Sequence, residues 1–141
     1  MKAYFFLLLL LFITGCDSKP LITVYEKSIL NKKIDCMQLS VMPKDKQIAS
    51  TLQHLYPFSQ TCSYRLEVSF KESIVCNSHY NAQSKALGKM PSSYLKMELR
   101  KGLSLQYSYY IDLDHKPDKE DVEEGFERFC EDLKISALNH R

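Results

Sequence analysis

Apolar residues along this chain fall into three arrangements. The first is an unbroken run from Ala3 to Ile13, with Met1-Lys2 before it and Thr14-Gly15-Cys16 after it. The second is alternation with a period of two, which puts every other side chain on one face of a strand. Met37, Leu39 and Val41 alternate within 34–42, and Tyr64, Leu66, Val68 and Phe70 alternate next. Ile74, Cys76, Ser78 and Tyr80 continue after Lys71-Glu72-Ser73, so 64–80 predicts a hairpin. A clearer hairpin joins Leu95, Met97 and Leu99 to Leu103, Leu105, Tyr107, Tyr109, Ile111 and Leu113. A three-residue turn, Arg100-Lys101-Gly102, would set Leu99 opposite Leu103 and Met97 opposite Leu105, with glycine in the left-handed position.

The third arrangement is helical spacing. Ile48, Leu52, Leu55 and Tyr56 make a stripe over 44–56, between Pro43 and Pro57. Val122, Phe126, Phe129, Cys130 and Leu133 make another over 118–135, after Pro117. Gly125 inside that helix gives up about 1 kcal/mol of helix propensity relative to alanine, and would allow close contact with a sheet. The short stretch Leu21 to Tyr25 predicts an edge strand docked from a tether. The sequence therefore predicts an α+β domain: a mainly antiparallel sheet of four to six strands with two helices on one face. A chain of 141 residues is enough for one such domain. The expected layout is a cleaved leader at 1–15, a tether at 16–32, the domain at 33–135 and a fraying tail at 136–141.

The opening run is too short to span a bilayer, which takes about 20 residues as a helix. A positive charge, about a dozen apolar residues and then small residues are the layout of a secretory signal. Ile13-Thr14-Gly15-Cys16 resembles the lipobox of bacterial lipoproteins. The resemblance covers residues 1–16 and implies cleavage before Cys16 and a diacylglycerol on its thiol, with acylation of the new amine. Asp17 resembles the aspartate that retains enteric lipoproteins in the inner membrane. The implied location is a membrane surface facing the periplasm of a Gram-negative bacterium, the inner membrane before the outer. No family is identified for residues 17–141.

Lipidation of Cys16 leaves Cys36, Cys62, Cys76 and Cys130, an even number in an exported domain. They predict two disulfides; of three connectivities, Cys36–Cys62 with Cys76–Cys130 suits the predicted elements best. No C-x-x-C pair suggests zinc, and no cofactor is expected. The four histidines, His54, His79, His115 and His140, lie in no recognised catalytic spacing. Asp112, Asp114 and Asp118 share a loop that could hold calcium but lacks the glycine and distal glutamate of an EF-hand; a solvated turn with helix-capping acids is the simpler expectation.

Charge is unevenly spread although the net value is only +2, and no basic block predicts nucleic-acid binding. Residues 112–132 hold ten acids against three bases. An acidic helix carrying Glu120, Glu124 and Glu127 could dock a basic protein. Tyr110 falls on the polar phase of its strand and is a candidate contact. The expectation is thus a non-enzymatic lipoprotein that binds another envelope protein, such as a secretion accessory, exclusion or immunity factor. The alternative is a ligand-binding module or enzyme with a pocket between sheet and helices.

Overall fold

The computed structural model describes residues 18–74 and 91–137. The predicted leader, Cys16, Asp17, Cys76, His79 and His140 lie outside them. Five strands form one sheet: β1 (Leu21–Val24), β2 (Met37–Met42), β3 (Tyr64–Lys71), β4 (Ser93–Lys101) and β5 (Ser104–Leu113). Their spatial order is β1-β5-β4-β3-β2. Two helices, α1 (Lys46–Leu55) and α2 (Lys119–Leu133), complete the α+β fold. The sheet is mixed, because β2 runs parallel to β3 while the other three pairings are antiparallel.

Alternation decides which side chains point inward. Met37, Leu66, Val68, Leu95, Met97, Leu99, Tyr107 and Tyr109 share the face toward the helices and are buried. They join Ile48 and Leu52 of α1 and Val122, Phe126, Phe129 and Leu133 of α2 in a single core. Aromatic contacts tie its layers together: Tyr107 meets Phe129 edge-on at 5.4 Å, and Tyr56 meets Phe126 at 6.3 Å.

The helix ends follow capping chemistry. Asp45 accepts a hydrogen bond from the Ile48 amide and starts α1, two residues after Pro43. Asp118 accepts from the Asp121 amide while Asp121 accepts from the Asp118 amide, a reciprocal box at the start of α2. Lys134 ends α2 in the left-handed conformation.

Before β2, a 3-10 turn at Lys27–Asn31 drops Ile29 into the core. With β1 paired to β5, residues 21–31 of the predicted tether segment pack onto the sheet. A single disulfide appears among the described residues, Cys36–Cys62, as preferred from sequence. It joins the leads into the parallel strands β2 and β3, whose starts lie side by side. Where two staples were expected, one is seen among the described residues: Cys130 is a buried free thiol, and its expected partner Cys76 lies outside them. Counting cysteines in pairs overlooks that a thiol on the apolar face of a helix packs well as a small hydrophobe.

Two pairings also differ from expectation. Both edges of β3 are occupied, by β2 and β4, and residues 75–80 of the expected hairpin partner lie outside the described residues. Period-two patterning marks a strand without naming its neighbour. Between β4 and β5, the turn is the two residues Gly102-Leu103, closed by Lys101 opposite Ser104. Gly102 has φ +59°, which favours glycine. A bulge then inserts Gln106, so that Leu99 faces Tyr107 and Met97 faces Tyr109. The predicted opposites, Leu103 and Leu105, leave the core face, and Leu103 is 96% exposed. The bulge carbonyl of Gln106 accepts the Tyr25 and Glu26 amides and fixes the chain leaving β1.

Candidate functional site

The two sides of the sheet differ in chemistry. The inner side is the apolar core, whereas the outer side carries the polar phase of every strand. Across β3 and β4 the register sets Glu67 opposite Glu98 and Arg65 opposite Arg100. Like charges directly opposite each other are unfavourable. Pairing along each strand, with one diagonal contact between them, resolves the conflict. Arg65 binds Glu67 at 2.6 Å, Arg100 binds Glu98 at 3.0 Å, and Lys96 binds Glu98 at 3.0 Å. Arg100 Nε lies 2.8 Å from Glu67 Oε2 without the angle of a hydrogen bond, so that contact is purely ionic. Burial opposes ionisation of Glu98, but hydrogen bonds from Lys96 and Arg100 outweigh it and hold its carboxyl below the usual range. These charges satisfy one another and form a closed ladder.

Above the ladder, near the N-terminal end of β1, the outer face turns aromatic. Tyr110 stacks on Tyr94 at 5.5 Å and donates to Asp112 Oδ1 at 2.7 Å. Partial burial, with the Asp112 bond second, pushes its hydroxyl up to about 12. Leu21 pairs with Tyr110 across the β1–β5 register and is 64% exposed.

The acidic helix lies on the other side. Val122, Gly125, Phe126 and Phe129 bury one stripe of α2 against the inner sheet face, and Glu120, Glu124, Glu127 and Glu131 are exposed on the rest of the helix. Glu120, Glu124 and Glu127 therefore share one surface, but Tyr110 lies across the sheet from it. A single partner patch does not include both.

The loop before α2 is a clasp. His115 Nδ1 lies 2.7 Å from Asp114 Oδ1, and His115 Nε2 lies 3.0 Å from Asp121 Oδ2. The hydrogen bond to Asp114 is the main cause raising the imidazole's affinity for a proton; Asp121 adds to it. Asp118 and Asp114 are held below the usual carboxylate range, Asp118 chiefly by the Asp121 amide and Asp114 chiefly by His115. His115, Asp118 and Asp121 offer ligand atoms within 4.8 Å of one another, but the reciprocal cap and the histidine already engage them. Asp112, from the same acidic loop, turns to Tyr110 instead. His54 bonds within α1, its Nδ1 lying 2.6 Å from the Ser50 carbonyl. Burial pushes the Cys130 thiol up to about 12, which keeps it protonated and unreactive at neutral pH.

The ladder, the Tyr94 stack and the His115 clasp were not singled out from sequence. The ladder had a signal: alternating charges at 65 and 67, and at 96, 98 and 100, on the polar phase of two strands. The clasp had none, since His115 and Asp121 are joined only by the way the loop turns into α2.

Among the described residues, no helix is long and apolar enough to cross a membrane. No family model, curated protein or solved structure matches the chain.

Proposed function

We propose that this chain is a membrane-anchored periplasmic lipoprotein that acts without catalysis, as an interaction component of an envelope complex. The observation that carries the reading is the leader closed by Ile13-Thr14-Gly15-Cys16, only five residues ahead of the first strand. The acylated Cys16 holds the domain on a bilayer, and two or three acyl chains suffice for stable anchoring. Asp17 favours the inner membrane. The Cys36–Cys62 bridge suits an oxidising compartment.

The partner surface on this reading is the exposed acidic side of α2, with Glu120, Glu124 and Glu127, facing a basic envelope protein. Secretion accessories, exclusion factors and immunity lipoproteins are roles of this type. The test is photo-crosslinking in the native envelope from position 124. The expected result is a specific adduct with a basic protein, lost when Glu120 and Glu127 are changed to lysine. No adduct, together with turnover of a small molecule by the purified protein, would overturn the reading.

A further inference from the structure

The outer sheet face divides into rows that cross all five strands. The row nearest the start of β1 reads Leu21, Tyr110, Lys96, Ser69, Met42, from one edge to the other. Tyr94 stacks on Tyr110 from the neighbouring row, where Lys71 stands opposite it. Leu21 and Met42 are 64% and 68% exposed, two of the four exposed large hydrophobics among the described residues. The next rows hold Glu67, Glu98, Arg65 and Arg100, whose charges are consumed by one another. This rim therefore combines exposed apolar and aromatic side chains with lysines, while the other two exposed hydrophobics, Tyr25 and Leu103, lie toward the opposite end of the sheet.

That rim is also where the chain arrives from Cys16. Leu21 lies five chain steps after Cys16, so the leash reaches at most about 18 Å. We propose that the rim formed by Leu21, Tyr94, Tyr110 and Met42, with Lys71, lies on the phospholipid surface that holds the acyl chains of Cys16. The inference rests on the lipoprotein reading. Amphipathic tyrosines suit the headgroup boundary, with the ring toward the acyl chains and the hydroxyl toward water. Lys71 beside them meets anionic phosphates while its stem covers apolar surface. The acidic side of α2, across the sheet, is then turned away from the bilayer and left open to a partner.

Tethering alone does not place Met42 at the membrane. Four strand spacings, about 19 Å, separate it from Leu21 across the sheet. The chain contains no tryptophan, so a single introduced one is a sole reporter. Met42→Trp and Leu103→Trp are made in the full acylated protein and reconstituted in phosphatidylethanolamine–phosphatidylglycerol vesicles, with or without dibrominated acyl chains. Leu103 sits at the β4–β5 turn, seven residues and about 24 Å along β5 from Tyr110. The expected result is a blue shift and brominated-lipid quenching for Trp at 42, and neither for Trp at 103. Adding Leu21→Asp with Lys71→Glu, both at exposed positions, should abolish the quenching while Cys16 stays acylated. Equal emission from position 42 in both vesicle types, with Cys16 acylated by mass, would overturn rim docking and leave the anchor standing. A protein adduct on Tyr110 in the native envelope would also overturn it. An unacylated Cys16 would remove the anchor and the docking together.

Discussion

Gly125 measures how closely α2 lies on the sheet. A Cβ added there would stand 3.1 Å from Tyr109 Cε1, 3.2 Å from Met97 Cε and 3.4 Å from Tyr109 Cζ. Favourable carbon contacts begin near 3.5 Å, so the neighbours must give by a few tenths of an ångström. The Met97 methyl ends a flexible side chain and can swing. The Tyr109 ring is buried between Met97 on β4 and Ile22 on β1 and has little room. Gly125→Ala gains about 1 kcal/mol of helix propensity. Overpacking a fitted core costs about 1–3 kcal/mol. The costs set against that gain leave the variant less stable by about 1 kcal/mol, and Gly125→Val, larger and β-branched, by about 3 kcal/mol. Urea unfolding of the oxidised protein reads this directly. With an m-value of about 1–2 kcal/mol/M, the midpoint of Gly125→Ala should fall by about 0.5–1 M with m unchanged. A midpoint that rises, as on an exposed helix, would refute the close approach of α2 to Tyr109.

Other expectations follow from the same contacts. Reducing Cys36–Cys62 frees a loop spanning 26 positions; the chain-entropy model puts the loss at about 3.5 kcal/mol, seen as a lower urea midpoint in dithiothreitol. The His115 clasp should make stability depend on pH. Its folded-state proton affinity is raised, so its contribution is full below about pH 6.5 and fades as pH rises through the higher folded value. Wild type should therefore lose stability relative to His115→Gln between about pH 6 and pH 8; parallel profiles would show that the clasp contributes nothing. Asp114 and Asp118 titrate the other way: their stabilisation is present above about pH 4 and falls away as pH drops through their lowered folded values. Cys130 should resist alkylation at pH 8 in the native protein and react rapidly in guanidinium; fast native labelling would contradict its burial.

Much of the fold was legible because alternation and helical spacing report burial directly. Val122, Phe126, Phe129 and Leu133 mark the buried stripe of α2, and Leu66, Val68, Met97 and Leu99 mark the inner sheet face. Pairing was less legible. The β4–β5 register depended on a two-residue turn and an inserted Gln106, and shifting opposites by an even number preserves every apolar match. The parallel β2–β3 pair was compatible with the pattern but not specified by it. Of the surface candidates, Glu120, Glu124 and Glu127 could be placed together from helix spacing alone. That Tyr110 faces the other way from them is a matter of phase on β5 and of which side α2 covers, which no local pattern states.

The chemical state of the N-terminus bears most directly on the proposed role. Protein extracted from native membranes with detergent can be weighed intact and after digestion. The expected N-terminal residue is Cys16, carrying a diacylglycerol thioether and an acylated amine, with residues 1–15 gone. An unmodified Cys16 within a full-length chain that begins at Met1 and partitions with soluble protein would contradict the anchor, and with it the membrane-bound role proposed for this domain.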